Sequence, residues 1–381
     1  MKALFVVFHG FSAHSGISKK IFDQCEALRR TGVDTQLCYI RIGADGRQRR
    51  MIGDGSATDV TVADFGRGLR AKIAKRLCFA GVTRYIRENK VDFLYVRYDH
   101  NANPALIRWF AQVRRLGVRI ALEIPTYPYD QEFTSGKGRM KLTVDRLFRR
   151  RLMHYVDRIV TFSDHREIFG RPTVAISNGI DFARIPLKRQ VNDTARRLQL
   201  LGVANIHFWH GFDRVIEGLG RYYASPQDRI VDFHIVGDGS PALIDEFRAA
   251  AERSGIAEHL LIHGPRAGAQ LDELFELCDF GVASLGRHRS GIESLKTLKN
   301  REYAARGIPF VYSERDDDFD AMPYVLKVPA DDSPLDIGAL VRFSDTVRMT
   351  PSAIRATIEG ELSWENQMRA VVRGLFSNDK S

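Results

Sequence analysis

The strongest constraint on this chain is an alternation of strand-length apolar runs with helix-length amphipathic stretches, and the alternation runs through twice. In the first pass residues 3–8, 35–40, 93–98, 119–124 and 158–162 read as strands, and 17–30, 69–87, 103–116 and 140–156 as helices. In the second pass residues 198–203, 231–236, 260–262, 280–283 and 309–312 read as strands. Residues 213–223, 241–254, 270–277 and 297–306 read as helices, with Ser240 as N-cap and Pro241 at the first helical position. Strands alternating with helices specify a parallel sheet covered on both faces. Two consecutive Rossmann-like α/β domains are expected, residues 1–185 and 186–360, with the polar stretch 186–193 as linker and a closing helical segment at 361–381.

The composition is that of a globular protein, 44% hydrophobic and 27% charged, and 381 residues suit two domains. Charge is uneven. Residues 1–180 carry 32 Lys and Arg against 17 Asp and Glu, whereas the rest carries 25 against 30. A basic half concentrates anionic partners, either lipid headgroups or nucleic acid. The four cysteines (Cys25, Cys38, Cys78, Cys278) have neither zinc-ligand nor redox-pair spacing, so unpaired thiols in a reducing compartment are expected. The N-terminal MKALFVVFHG reads as a buried strand, and no apolar run has membrane-spanning length. A cytoplasmic protein is expected.

The most informative stretch runs from Gly291 to Pro309. Lys299, Glu302 and Arg306 recur at helical spacing, and Gly307 stops the helix before an apolar strand. Taken alone, the periodicity also fits a solvated helix with incidental charges. The order Lys, two residues, Glu-Tyr, two residues, Arg-Gly-Ile-Pro-Phe resembles the donor-binding helix of the retaining family 4 glycosyltransferases, which have the GT-B fold: two Rossmann-like domains facing a central cleft. Further pieces in the same order strengthen the resemblance: Asp157-Arg-Ile-Val-Thr-Phe-Ser163, Ile176-Ser-Asn178-Gly179-Ile180-Asp181, Val236-Gly237-Asp238-Gly239 and Leu362-Ser-Trp364-Glu365. Within the family, the stretches around Trp209-His210-Gly211-Phe212-Asp213-Arg214 and Glu123-Ile-Pro-Thr126-Tyr127-Pro-Tyr129-Asp130 look like a bacterial surface-polysaccharide subgroup.

The resemblance implies transfer of a sugar from a nucleoside-diphosphate donor to a glycan or lipid-linked saccharide, with retention. Glu302 matches the glutamate that accepts from the donor ribose hydroxyls, and Lys299 lies one turn earlier to neutralise the diphosphate. The sequence departs from the family at three places. Ser294 stands where its first glutamate belongs, with Glu293 one place off. Its phosphate-binding Gly-Arg and Lys-Gly pairs align with Gly202-Val203 and His210-Gly211, leaving Arg214, Arg289 and Lys299 as replacement cations for the leaving diphosphate. The further donor-side candidates are Gly16, Gly237, Gly239, Gly264, Gly291 and Ser294. Gly10 and Ser15-Gly16 could offer backbone N–H groups to an anion, or form a plain strand-to-helix connection. Glu123 and Thr126, at a strand's carboxyl end, and His210, near a cleft loop, are the catalytic candidates. Tyr127 and Tyr129 are candidates for stacking on an acceptor sugar, or for packing.

The run Asp316-Asp317-Asp318 reads as a solvated acidic turn, and the histidines lack metal spacing, so neither a metal nor another cofactor is expected. The segment from Arg139 to Arg158 reads as a basic amphipathic helix for a membrane surface, which would place the protein peripherally on the inner face of the plasma membrane. No nucleic-acid-reading motif accompanies the charge, so nucleic acid is not an expected partner. The rival readings are a GT-B nucleotide-sugar epimerase, a dinucleotide oxidoreductase built on Gly237-Asp238-Gly239, and a non-catalytic basic adaptor on membranes.

Overall fold

The computed structural model describes residues 1–11, 16–130, 133 and 135–377. Two compact units divide the chain at Ser177/Asn178 and again at Ser363/Trp364.

In the first unit the strands are β1 (Lys2–Val6), β2 (Asp34–Ile42), β3 (Gln48–Gly53), β4 (Val60–Asp64), β5 (Phe93–Arg97), β6 (Arg119–Ile124), β7 (Arg158–Thr161), β8 (Glu167–Ile168) and β9 (Arg171–Ala175). They form one sheet in the order β4-β3-β2-β1-β5-β6-β7-β9-β8. From β2 through β9 the neighbours are parallel. The pairs β2–β3, β3–β4 and β8–β9 are antiparallel and finish the two edges. The inner strands are apolar on both faces because helices cover them: β1 buries Ala3–Val6, and β5 buries Phe93–Val96. The helices are α1 (Gly16–Arg30), α2 (Gly68–Leu77), α3 (Ala80–Asn89), α4 (Pro104–Arg115) and α5 (Gly136–Met153).

The expected single helix over residues 69–87 is two helices. Cys78 leaves α2 with extended backbone (φ −105°, ψ 117°), and Phe79 turns inward to stack on Trp109. The edge hairpin β3–β4 has no counterpart among the expected strands.

The second unit holds β10 (Arg197–Val203), β11 (Ile230–Val236), β12 (Leu260–Gly264), β13 (Phe280–Val282), β14 (Phe310–Tyr312) and β15 (Val325–Lys327). Every pairing is parallel, and the order is β12-β11-β10-β13-β14-β15. In sequence terms this is 3-2-1-4-5-6, the doubly wound order whose direction reverses between β10 and β13. Its helices are α6 (Phe212–Tyr223), α7 (Pro241–Arg253), α8 (Ala269–Leu277), α9 (Leu298–Arg306), α10 (Ile337–Thr346) and α11 (Pro351–Glu359). Helix α12 (Trp364–Phe376) belongs to the first unit, where it packs on α1, β6, β7 and β9.

Residues 186–193 are not a free linker. The Lys188 side chain is buried, and its ammonium caps the carbonyls of Phe275, Glu276 and Cys278 at the end of α8, which fixes this stretch to the second unit.

Candidate functional site

In a doubly wound sheet, ligands bind outside the carboxyl ends of the strands at the point where strand order reverses. In the second unit that point lies between Val203 and Val282. The chain leaving β10 forms a short 3₁₀ turn, Phe208–His210, and the chain leaving β13 forms another, Arg287–Ser290. A bond from Leu285 N–H to the His210 carbonyl, 2.9 Å, ties the two together. Helix α9 starts nearby in sequence space, after the segment that follows the second turn. Thr297 caps its N-terminus by accepting from Asn300 N–H at 3.3 Å. Gly307 ends it with φ +78°, and a Cβ there would meet Pro351 at 2.4 Å.

Three groups at this switch point share one electrostatic neighbourhood. Lys299, in the first turn of α9, is partly buried and makes no hydrogen bond or ion pair among the described residues. Burial, then the Arg287 cation, lowers its pKa to about 8, and Glu314 opposes the fall. His210 is 4% exposed, and its Nδ1 accepts from His207 N–H at 3.0 Å, so in the neutral ring Nε2 carries the proton. Burial, with Lys299 and Arg287 adding repulsion, pushes its pKa far down. It is therefore an uncharged donor at neutral pH. Glu314, just beyond β14, is 1% exposed, and among the described residues neither carboxylate oxygen has a side-chain hydrogen-bond partner. Burial raises its acid to about 7 against the pull of its own backbone N–H, Lys299 and Arg287.

Glu302 lies one turn after Lys299 on the same face of α9. Its side chain is 26% exposed, and Arg306 holds only Oε1, at 3.1 and 3.3 Å.

The other expected residues divide sharply. Arg214 is buried, and its guanidinium is spent on the carbonyls of Ser333 and Leu285 and on Asp331, so it is not a free phosphate-binding cation. Arg289 is equally occupied, bidentate to Asp213 at 2.9 and 2.7 Å and bonded to Asp332 at 2.6 Å. Gly237 is explained by packing: at φ +136°, a Cβ would lie 1.6 Å from the Ala204 carbonyl oxygen. Gly239 pairs with Ile206 in the same turn. Gly264 ends β12, and its carbonyl accepts from Gly237 N–H at 3.0 Å. Gly291 closes the second 3₁₀ turn. Ser294 is exposed and bridges to Arg315, which places the segment around it beside the residue following Glu314.

The acidic run is not a solvated turn. Asp316 is fully buried against Arg301, at 2.6 and 3.1 Å, and Asp318 joins the same guanidinium. Arg301 also donates to the carbonyl of Asn178 at 3.0 Å, so the acidic run and the Asn178-Gly179 turn brace α9 together. Among the described residues no group of three or more His, Cys, Asp or Glu side chains could hold a metal ion.

In the first unit Glu123 is fully buried and saturated. Tyr95 OH donates to it at 2.6 Å and Gln24 at 2.8 Å, while Arg97 and Lys20 supply positive charge. It cannot touch a substrate and acts as a tie between strands and helix α1. Tyr129 is likewise core, 1% exposed, with its hydroxyl on Asp145 at 2.7 Å. Tyr127 remains accessible and lines a cavity of about 620 Å³ with Arg149, Arg150, His154, Phe169 and Arg171. Thr126, one residue earlier, is half-buried. Gly16 is exposed at the start of α1, with open space where a Cβ would lie; Ser15 lies outside the described residues. Arg287 and Glu314 are the groups at the switch point that the sequence reading missed. The available signal was position: both follow the carboxyl end of a strand in the second sheet.

Comparison with solved structures gives the same fold over the whole chain. The structure of sucrose-phosphate synthase from Thermosynechococcus elongatus matches with a TM-score of 0.66 at 14% identity, covering 98% of this chain and 99% of that one. Anabaena HepE in complex with UDP matches at 0.63 and 16% identity, covering 98% and 99%. A glycosyltransferase from Rickettsia africae matches at 0.62 and 12% identity, covering 99% of each. The fold is GT-B: two α/β units, each built on a parallel-rich sheet. No protein-family model matches the chain, and no curated protein does.

Proposed function

We propose that this chain is a retaining glycosyltransferase that moves a sugar from a nucleoside-diphosphate donor to a glycan or lipid-linked saccharide in surface-polysaccharide biosynthesis. The observation that carries the reading is Lys299: a partly buried ammonium with no ion pair among the described residues, at the switch point of a 3-2-1-4-5-6 sheet and one turn from a half-free glutamate. The match to HepE in complex with UDP makes a uridine diphosphate sugar the first donor to try.

The roles follow from the chemistry of each group. Glu302 keeps Oε2 free to accept from ribose hydroxyls. Lys299 and Arg287 meet the diphosphate charge, and His210 donates a neutral N–H to an oxygen of the same group. As the bond from the anomeric carbon to the diphosphate breaks, negative charge grows on the leaving oxygen, and pre-placed cations stabilise it. The acceptor oxygen then bonds to the anomeric carbon from the same face, and its proton passes to the departing diphosphate. Protein cations supply the charge, so the reading needs no metal ion and predicts activity in the presence of a chelator.

The first unit offers the acceptor the cavity beside Tyr127. Helix α5 exposes Met140, Val144 and Leu147 among basic residues and supports peripheral attachment to a membrane surface on its cytoplasmic side. Its basic face is smaller than the sequence suggests. The helix ends at Met153, short of Arg158, and within it Arg149 is bound to Asp130 and Tyr129 and Arg146 to Asp130. No helix among the described residues is long and apolar enough to cross a membrane.

The test is a thermal-shift screen of UDP, GDP, ADP and their sugars, followed by donor hydrolysis. One nucleoside diphosphate should protect the protein, and its sugar should be slowly hydrolysed. Protection by none of them would refute the reading.

A further inference from the structure

Far from the switch point of the second sheet in sequence, the first unit carries a second place where positive charge is left unmatched. Helices α3 and α4 enclose a groove of about 390 Å³. Arg84 and Arg87, at i and i+3, line it from α3, and Arg108 lines it from α4. All three are exposed, and none makes a side-chain hydrogen bond or ion pair among the described residues. Three guanidinium groups around one groove, with no acid between them, repel one another and attract an anion.

The groove floor adds an observation of a different kind. Trp109 lines it and is 3% exposed, yet its indole Nε1 has no acceptor among the described residues. Buried N–H groups in folded proteins are nearly always satisfied, so an orphan donor directly beneath a basic groove marks this floor as unusual. Phe79 stacks on Trp109, with centroids 4.4 Å apart and planes 9° from parallel. The same Phe79 ring lies 4.8 Å from the guanidinium carbon of Arg50. Arg50 is itself buried; its Nη2 donates to the Lys75 carbonyl, while Nε and Nη1 have no acceptor among the described residues. It forms no ion pair among the described residues. Positive charge therefore backs the groove as well as edging it.

We propose that the α3–α4 groove binds a phosphate group, held by Arg84, Arg87 and Arg108 above the buried indole of Trp109. A carboxylate offers two oxygens in one plane, which suits one guanidinium fork better than three set around a groove. A phosphate presents enough acceptor oxygens at tetrahedral angles, and guanidinium forks match phosphate geometry. The apolar wall formed by Leu77, Phe79 and Ala105 suits a phosphate that carries carbon, whether a lipid headgroup or a small phosphate ester.

The chain has three tryptophans, so its indole N–H spectrum is simple to follow in the ¹⁵N-labelled full-length protein. Trp109→Phe assigns the resonance. Two probes are titrated separately: inorganic phosphate, and monomeric short-chain phosphatidylglycerol. The expected result is a saturable shift of the Trp109 resonance, with affinity roughly tenfold weaker in an Arg84→Ala/Arg108→Ala variant, the loss expected for removing charge-assisted hydrogen bonds. The charge-matched pair Arg342→Ala/Arg348→Ala, in the second unit, should bind as wild type. Both arginines replaced in the groove are exposed, and an unchanged unfolding midpoint verifies that the variant folds. A shift with inorganic phosphate identifies a free phosphate ester as a sufficient ligand; a shift with the lipid alone identifies a headgroup. No Trp109 shift with either probe, or equal affinity in the groove variant, would overturn the proposal.

Discussion

Glu123 and Glu314 hold comparable places, each near the carboxyl end of an inner strand of a parallel sheet, and each is buried. Their surroundings are opposite. Around Glu123, desolvation is outweighed by Lys20 and Arg97, with Tyr95 and Gln24 donating, and the carboxylate stays ionised with its pKa lowered. Around Glu314 no side-chain donor among the described residues bonds either oxygen, and burial raises the acid to about 7. A buried charge that is fully matched is architecture: it fixes which strand and helix meet. A buried charge left unmatched is tolerated where something else is to be bound. The first unit's strand ends are of the former kind at Glu123, and the second unit's are of the latter kind at Glu314.

The comparison can be broken most directly at Glu123. Glu123→Ala should destabilise the first unit by about 3–5 kcal/mol, because it strands Lys20 and Arg97 with no counter-charge. Urea unfolding measures this, and a midpoint within error of wild type would show that the network is not structural. The next largest effect is on catalysis. Lys299→Met should lower donor hydrolysis by roughly 100-fold, the scale of losing one transition-state charge partner, while leaving the midpoint close to wild type.

A smaller effect concerns pH. The folded-state acid of Glu314 lies near 7 against an ordinary 4.5, so the folded state holds a proton that the unfolded state has lost. That contribution to stability is fully present below about pH 4.5 and is lost as pH rises through 7. Glu314→Gln should flatten the stability profile across this window; an unchanged slope would mean that Glu314 is matched after all. Smallest is Tyr129→Phe, which should cost about 1–2 kcal/mol through the orphaned Asp145 oxygen and leave acceptor use intact. Tyr127→Ala should do the reverse, raising the acceptor KM with no loss of stability.

Much of the fold was legible because the buried parallel strands are short apolar runs between amphipathic helices, as in β5, β11 and β14. The β3–β4 hairpin was not, because Gln48, Arg49 and Arg50 break the apolar pattern on an edge. The break at Cys78 was hidden as well, since only tertiary packing of Phe79 on Trp109 ends α2 there. In the site, Lys299 and Glu302 could be found from their spacing on one helix. That Arg214 and Arg289 are already engaged was hidden because their carboxylate partners, Asp331 for the one and Asp213 with Asp332 for the other, lie far from them along the chain. Sequence tells which arginines exist near a motif but not which of them are already paired. Glu314 escaped because it belongs to no motif, and only its lack of partners marks it.

The central claim is that the second unit holds a nucleoside diphosphate between Lys299 and Glu302. Calorimetric titration of UDP into wild type and Glu302→Ala tests it most directly. The account predicts saturable binding to wild type and affinity weakened by at least about tenfold in the variant, the loss expected for a hydrogen bond to a charged group. Equal binding to both proteins would contradict it.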